Sequence, residues 1–359
     1  MTLDTETGPT PGPHRRQRSE RLLETLAGFE SIVLVSHVNP DPDALASMLG
    51  LEALLAAKLP GKAVTLTVDG MIARAENQAM VDFLAIPLVP VDRAPTGAGV
   101  ATVMVDSQPR TGRHAREGEA PAAVLDHHET GGDLAGVAFR DLRPHLGATS
   151  TMVTGYLLEQ GLAPDRRLAT ALLYGIESET TGYPREAAPA DDGALIWLYP
   201  RADKDLLARI RHPKLPQSYF ITYQHALSNV FLYRDLVVCW CGRVPQPDIV
   251  AELADFFIRF ERVNFAMSVG LFDGLLKLSI RSGRIGDHCG ELLRAVVDGL
   301  GTAGGHDRRA GGAIPVNDAD GPAVDALLTT VRRRLLDQLK IADPVGRRLV
   351  ESCPVIPAP

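Results

Sequence analysis

Val35-Ser36-His37-Val38-Asn39-Pro40-Asp41-Pro42-Asp43-Ala44-Leu45-Ala46-Ser47 decides the fold. One imidazole and two carboxylates fall within this stretch, directly after the apolar run Ile32 to Val35 and directly before a long apolar helical pattern. That arrangement places them at the C-terminal end of a buried strand, where open α/β sheets bind their ligands. Pro40 and Pro42 interrupt the acidic pair, so the segment is a loop, held extended by the bias each proline imposes on the residue before it. Three potential ligands for a hard or borderline cation hang on a stiff loop.

Outward from this loop, the periodicity predicts a helix over Arg21 to Ala27, a strand over Ile32 to Val35, a helix over Ala44 to Lys58 ended by Pro60-Gly61, and a strand over Ala63 to Val68. Leu45, Met48, Leu49, Leu51, Leu54 and Leu55 cover most of the second helix's circumference, so it is expected to lie between the sheet and another layer. The β-α-β alternation implies a mainly parallel sheet flanked by helices.

Two further strands end in chemistry. Val100 to Val105 runs into Asp106, and Ala122 to Leu125 runs into Asp126-His127-His128. A lone Asp after a strand is ordinarily a turn or N-cap residue, and a His pair is ordinarily surface. The joint pattern is different, because three strand ends carrying His37, Asp41, Asp43, Asp106, Asp126, His127 and His128 supply the mixed imidazole and carboxylate donors, one able to bridge, that a two-metal site requires.

The bulk properties are those of a globular enzyme: 359 residues, 45% apolar, 5% aromatic and a net charge of −7 with no dominant Lys/Arg block. That charge argues against a protein gripping long duplex nucleic acid, and leaves a small anionic substrate open. Four cysteines make neither a disulfide framework nor a Cys-rich zinc site; Cys239 and Cys241, two apart in an apolar run, read as packing residues on one face of a strand. Residues 1–18 read as a disordered tail without a signal-peptide core and 346–359 as a second tail; no apolar stretch approaches a membrane span, so a cytoplasmic location is expected.

Residues 19–185 read as a catalytic domain and 186–230 as a partly helical connector. Residues 231–345 read as a smaller C-terminal α/β domain across a cleft, with strands at Leu236 to Cys241, Phe265 to Leu271 and Leu275 to Ile280, and a late amphipathic helix whose Arg332, Arg333 and Arg334 form a solvated face. Leu278-Ser279-Ile280-Arg281-Ser282 puts an arginine at a strand end, and Ala303-Gly304-Gly305-His306-Asp307-Arg308-Arg309-Ala310-Gly311-Gly312 reads as a glycine-rich loop. Such loops let backbone N–H groups approach an anion, although a merely flexible loop is the commoner meaning.

The run His37-x-x-x-Asp41-x-Asp43-Ala44-x-x-Ser47, the strand-end Asp106 and the Asp126-His127-His128 triplet resemble the first three motifs of the DHH phosphoesterase superfamily, in its order and spacing. Gly147 to Thr151 and Tyr174 to Thr180 resemble the next two segments, with Glu179-Thr180 where that family carries Asp-Thr. The resemblance implies that His37, Asp41 and Asp106 hold one ion and Asp43, Asp106, His127 and Glu179 a second. It further implies that Asp126 orients a histidine and that His128 faces the substrate phosphate, with Asp106 shared at the catalytic centre. Thr149 and Ser150 are expected as ordinary helix caps. Ser279-Ile280-Arg281 and Gly304-Gly305-His306 are similar to the substrate-binding segments of the DHH-associated C-terminal domain, with Ala303 in place of that motif's first glycine.

The activity implied is hydrolysis of short oligoribonucleotides and of 3′-phosphoadenosine 5′-phosphate by a water activated between two divalent cations. Manganese suits the mixed donors best, with magnesium, cobalt or zinc as alternatives. A cyclic or linear dinucleotide phosphodiesterase is the second enzymatic expectation, and a nucleotide-binding module with a degraded metal site, of which Glu179 is the symptom, is the non-enzymatic one. A homodimer is a mild expectation from the general frequency of symmetric dimers.

Overall fold

The computed structural model describes residues 17–111, 120–129, 131–180, 187–305, 307–316 and 321–350. The chain divides into two compact units, Met1–Pro213 and Lys214–Pro359.

The first unit contains α1 (Arg18–Leu26), β1 (Ser31–Val35), α2 (Pro42–Lys58), β2 (Ala63–Val68), α3 (Ala75–Phe83), β3 (Leu88–Pro90), β4 (Val100–Val105), β5 (Ala123–Asp126), β6 (Phe139–Leu142), α4 (Thr149–Glu159), α5 (Arg166–Thr180), α6 (Pro189–Leu198) and α7 (Lys204–Arg211). Its six strands form one sheet in the order β3-β2-β1-β4-β5-β6, and every neighbouring pair is parallel. The strand order reverses between β1 and β4, which pair from Ser31 opposite Val100 to Val35 opposite Met104. This is the switch point at which such sheets open a crevice, and it sets the His37 loop beside Asp106.

The helix α2 starts where Asp41 accepts the Ala44 N–H and Pro42 occupies the first turn. Every residue from Pro42 to Leu51 is buried, and the helix packs against both α4 and α5. Fully burying each Leu or Met is worth roughly 1.5–3 kcal/mol, so the stretch Pro42 to Leu51 is held by its whole circumference, while Ala56 to Lys58 at the far end are exposed. Gly175 permits the close approach of α5: a Cβ there would stand 2.6 Å from Ser150 Oγ and 2.8 Å from Ala46 Cβ. The described residues of the stretch expected as a connector are absorbed into the two units. Leu198, Leu207 and Ile210 from α6 and α7 are buried in the first core, while α8 (Gln217–Ser228) packs in the second unit.

The second unit continues with β7 (Val230–Tyr233), β8 (Leu236–Arg243), α9 (Asp248–Phe257), β9 (Phe265–Phe272), β10 (Leu275–Ser282), α10 (Cys289–Val297), β11 (Thr302–Gly305), β12 (Arg309–Pro315), α11 (Gly321–Gln338) and β13 (Arg347–Arg348). Its sheet runs β11-β12-β10-β9-β8-β7-β13, antiparallel except between β8 and β9. Val237, Cys239 and Cys241 pack with α8 and α9, whereas Met267, Val269 and Leu271 pack with α10 and α11. The two cysteine sulfurs lie 4.0 Å apart in that core, as packing residues.

Two expectations for this unit are corrected. The glycine-rich segment is a hairpin rather than a loop: Gly304 pairs with Gly311 and Gly305 with Ala310. Its small residues let α10 pack directly against both strands, which a composition count reads only as flexibility. Of the three arginines on α11, Arg334 is not simply solvated, because its Nη1 donates to the carbonyls of Val296 and Asp298 at the C-terminal end of α10. Among the described residues no helix is long and apolar enough to cross a membrane.

Candidate active site

The His37 loop is anchored on both sides. Asn39 takes a left-handed backbone (φ 58°), donates its N–H to Asp69 O at 2.8 Å and accepts the Met71 N–H on Oδ1 at 2.7 Å. Asp41 serves two purposes with two oxygens. Oδ1 caps α2, and Oδ2 lies 3.6 Å from His37 Nε2. One carboxylate thus caps the helix and faces the His37 ring.

Asp106 sits at the centre. Its φ of 57° turns the chain sharply at the end of β4, and its buried carboxylate accepts the Thr149 hydroxyl on Oδ1 at 2.8 Å. Oδ2 is 3.5 Å from His37 Nε2, and Oδ1 is 3.6 Å from His127 Nε2 and 3.8 Å from His128 Nδ1. Both His37 and His127 are oriented by main-chain carbonyls. Nδ1 of His37 is 3.0 Å from Val38 O and Nδ1 of His127 is 3.2 Å from Leu146 O, so each Nδ1 is the donor and each Nε2 is turned toward carboxylates. That is the outer support by which proteins aim imidazole ligands.

Asp43 is fully buried, and each of its oxygens accepts a backbone N–H at the start of α4, from Thr149 and Ser150, both at 2.7 Å. Thr149 and Ser150 are not the caps expected of them: Ala148 is the N-cap of α4, and these two are its first helical residues, whose N–H groups fix Asp43 while the Thr149 hydroxyl fixes Asp106. Burial, and then the charges of Asp106 and Asp41, push the Asp43 carboxyl well above the ordinary range, and Glu179 adds to that push. Burial opposes charge on His37, but Asp106 and Asp41 hold its pKa well above the usual imidazole value. At Asp41 burial is outweighed by His37 and the Ala44 N–H, which hold the carboxyl low.

The triplet at the end of β5 has its own order. Asp126 Oδ1 accepts from His128 Nδ1 at 2.8 Å and from the His128 N–H at 3.2 Å, while Gln108 Nε2 donates to Asp126 Oδ2 at 2.8 Å. Burial acts against both charged forms, yet the pair holds Asp126 low and, with Asp106, pushes His128 up to about 9. Gln108 escaped the sequence reading; its only signal is its place two residues after Asp106.

These donors suit a divalent cation. At metal–ligand lengths of about 2.0–2.2 Å, two donors on one ion stand roughly 3–4 Å apart, and the His37–Asp106, His37–Asp41 and His127–Asp106 separations fall in that range. Among the described residues, His37, Asp41 and Asp106 form one group of potential ligands, and Asp106, His127 and His128 another. Asp43 Oδ2 stands 3.9 Å from His127 Nε2, at the margin of the second group. Glu179 joins neither group, although its charge reaches Asp43.

In the second unit, Arg281 is buried at the end of β10. Its Nη1 donates to Ser279 Oγ at 2.8 Å and Ile280 O at 3.1 Å, and its Nε donates to Asp255 Oδ1 at 2.5 Å, with Nη2 at 3.5 Å from Oδ2. Asp255, on α9, is a second residue that sequence reasoning missed. Gly304 and Gly305 lie on the edge strand β11, and His306 falls outside the described residues.

Residues 31–176, which carry the parallel sheet, its switch point and Asp106, match the family described as DHH family, N-terminal domain. This span belongs to that family. The chain is 29% identical over 288 residues to an uncharacterized protein of Methanocaldococcus jannaschii, covering 79% of this chain but only 58% of that relative. It is 27% identical over 343 residues to the bifunctional oligoribonuclease and PAP phosphatase NrnA of Thermus thermophilus, covering 91% of this chain and 98% of the relative. In fold it is similar to the crystal structure of an exopolyphosphatase-related protein from Bacteroides fragilis, with a TM-score of 0.71 at 18% identity, covering 90% of this chain and 97% of that one.

Proposed function

We propose that the chain is a metal-dependent phosphoesterase that hydrolyses short oligoribonucleotides and 3′-phosphoadenosine 5′-phosphate. The observation that carries this reading is Asp106, buried at the switch point with one oxygen toward His37 and the other toward His127. A carboxylate so placed serves two ion sites at once. His37, Asp41 and Asp106 would hold one cation and Asp43, Asp106 and His127 the other, with Glu179, outside both groups, adding its charge beside Asp43; manganese is the best match to mixed nitrogen and oxygen donors. When bound, two such ions acidify a water and polarise a phosphoryl group.

The chain's own residues do the rest. Asp126 holds the His128 ring by Nδ1, and the imidazolium meets the charge that develops on the phosphoryl oxygens. Thr149 and the first N–H groups of α4 keep Asp106 and Asp43 fixed as ions come and go. Ser279, Arg281, Gly304, Gly305 and His306 are the substrate-recognition set. Three protein partners engage four guanidinium N–H contacts of Arg281, so it offers a substrate oxygen a single directed hydrogen bond rather than a fork. The similarity to the Thermus thermophilus NrnA over nearly its full length supports this substrate class.

The test is hydrolysis with manganese across RNAs of increasing length from the dinucleotide, 3′-phosphoadenosine 5′-phosphate, cyclic and linear di-AMP, and pyrophosphate. Preference for the shortest RNAs together with the bisphosphate is expected. Turnover confined to di-AMP would assign the chain to dinucleotide breakdown instead, and nucleotide binding without turnover would make it a binding module.

A further inference from the structure

Gln108 is only 3% exposed, and its whole carboxamide is engaged. Oε1 accepts the backbone N–H groups of Gly131 and Gly132, both at 3.1 Å, while Nε2 donates to Asp126 Oδ2 at 2.8 Å and to Glu129 O at 3.2 Å. The turn that carries it is closed by the Thr111 hydroxyl, which donates to Gln108 O at 3.0 Å. Gly132 packs so closely that a Cβ would stand 2.5 Å from Pro109 O and 2.8 Å from Gln108 Cβ. One side chain thus joins the turn after β4, the carboxylate ending β5 and the backbone beyond the histidine pair.

The consequence lies in how a carboxylate is held. Asp126 uses Oδ1 for the ring and backbone of His128 and Oδ2 for Gln108. A planar carboxylate gripped at both oxygens from different directions has a fixed torsion; gripped at one, it rotates and carries its partner with it. We infer that Gln108 is a positioning residue of the phosphoester centre: by holding Asp126 Oδ2 it fixes the carboxylate plane, and through it the direction in which the His128 ring meets a substrate phosphoryl group. The kinetic half of this inference rests on the phosphoesterase reading, and the geometric half does not.

The competing role is local, with Gln108 merely gluing a loop to a turn. Both readings predict some loss of stability, so the test uses readouts that glue alone would not move. Gln108→Met keeps the volume and removes the hydrogen bonds, and Gln108→Ala removes both; each is examined alone and combined with Asp126→Asn. In metal-free protein, the ¹⁵N and ¹H signals of the His128 imidazole are expected to lose the hydrogen-bonded Nδ1–H signature in both variants. With manganese and a short RNA, kcat is expected to fall roughly 10–100-fold, the range for an outer partner, while KM stays within about threefold. In the Asp126→Asn background the same substitutions are expected to cause no further loss, because residues acting in one chain of contacts are not additive.

Unchanged His128 signals, or losses that multiply with Asp126→Asn, would overturn the inference and leave Gln108 as loop glue. A wild-type protein inert toward every phosphate ester, whose His128 signals nonetheless respond to Gln108→Met, would refute the phosphoesterase reading and leave the Gln108–Asp126–His128 linkage standing. Should Gln108→Ala fail to fold, Gln108→Met alone decides both readouts.

Discussion

At the rim of the parallel sheet, Asp41, Asp43 and Asp106 crowd together, with His37 beside Asp41 and Asp106, and burial together with this crowding pushes the Asp43 carboxyl well above its ordinary range. In the second unit the charge is matched: Arg281 lies against Asp255 and Ser279, and most of its donors are spent before any substrate arrives. Excess negative charge held rigid favours cations. A paired arginine is a site that selects by geometry, because a ligand must fit what the pairing leaves. On the proposed function, chemistry falls to the first unit and recognition to the second.

The substitution that breaks this contrast most severely is Asp106→Ala. It takes ligands from both proposed ions, so the fall in kcat/KM is expected to exceed the roughly 10–100-fold typical of an outer partner; a rate within about tenfold of wild type would remove Asp106 from the shared position. Arg281→Lys is the matching test in the second unit. Loss of hydrogen bonds to a charged group costs about 1.5–3 kcal/mol, or roughly 10–100-fold in kcat/KM, carried mainly by KM, with manganese affinity unchanged. If manganese affinity fell as well, the division of labour would be wrong.

Thr149→Val sharpens the first half. It removes the hydroxyl that holds Asp106 Oδ1 and keeps the shape, so metal affinity measured by titration is expected to fall by about tenfold, with little change in KM. The smallest expected effect is a shift in titration. Burial disfavours the His128 imidazolium, but Asp126, Asp106 and Asp41 outweigh it and push its pKa up to about 9 in the metal-free protein, so the ring carries its proton below that pH and loses it above. A cation held by Asp41 and Asp106 cancels two of those influences and leaves Asp126. The midpoint followed by NMR is therefore expected to move down when magnesium is added, and a stationary midpoint would place the cation elsewhere.

The parallel sheet and the acidic rim were legible because strand, carboxylate and helix follow one another in the chain, and the β1–β4 switch point then gathers them. The contacts that complete the rim were not, because they join distant residues. Asp43 meets the Thr149 and Ser150 N–H groups more than one hundred positions away, and Gln108 meets Asp126 from the neighbouring strand end. The glycine hairpin was misread for a different reason. Composition reports what glycine permits, while β11 and β12 show what sheet pairing and the packing of α10 require of it. Asp255 gave no signal because an acid on an amphipathic helix is ordinary until the strand beneath it offers an arginine.

Calorimetric titration of metal-free protein with manganese, with turnover of a dinucleotide RNA followed at each addition, tests the rim most directly. Two equivalents are expected to bind, and activity is expected to rise only as the second site fills. A single equivalent, or turnover that survives complete chelation, would contradict a two-cation centre built around Asp106.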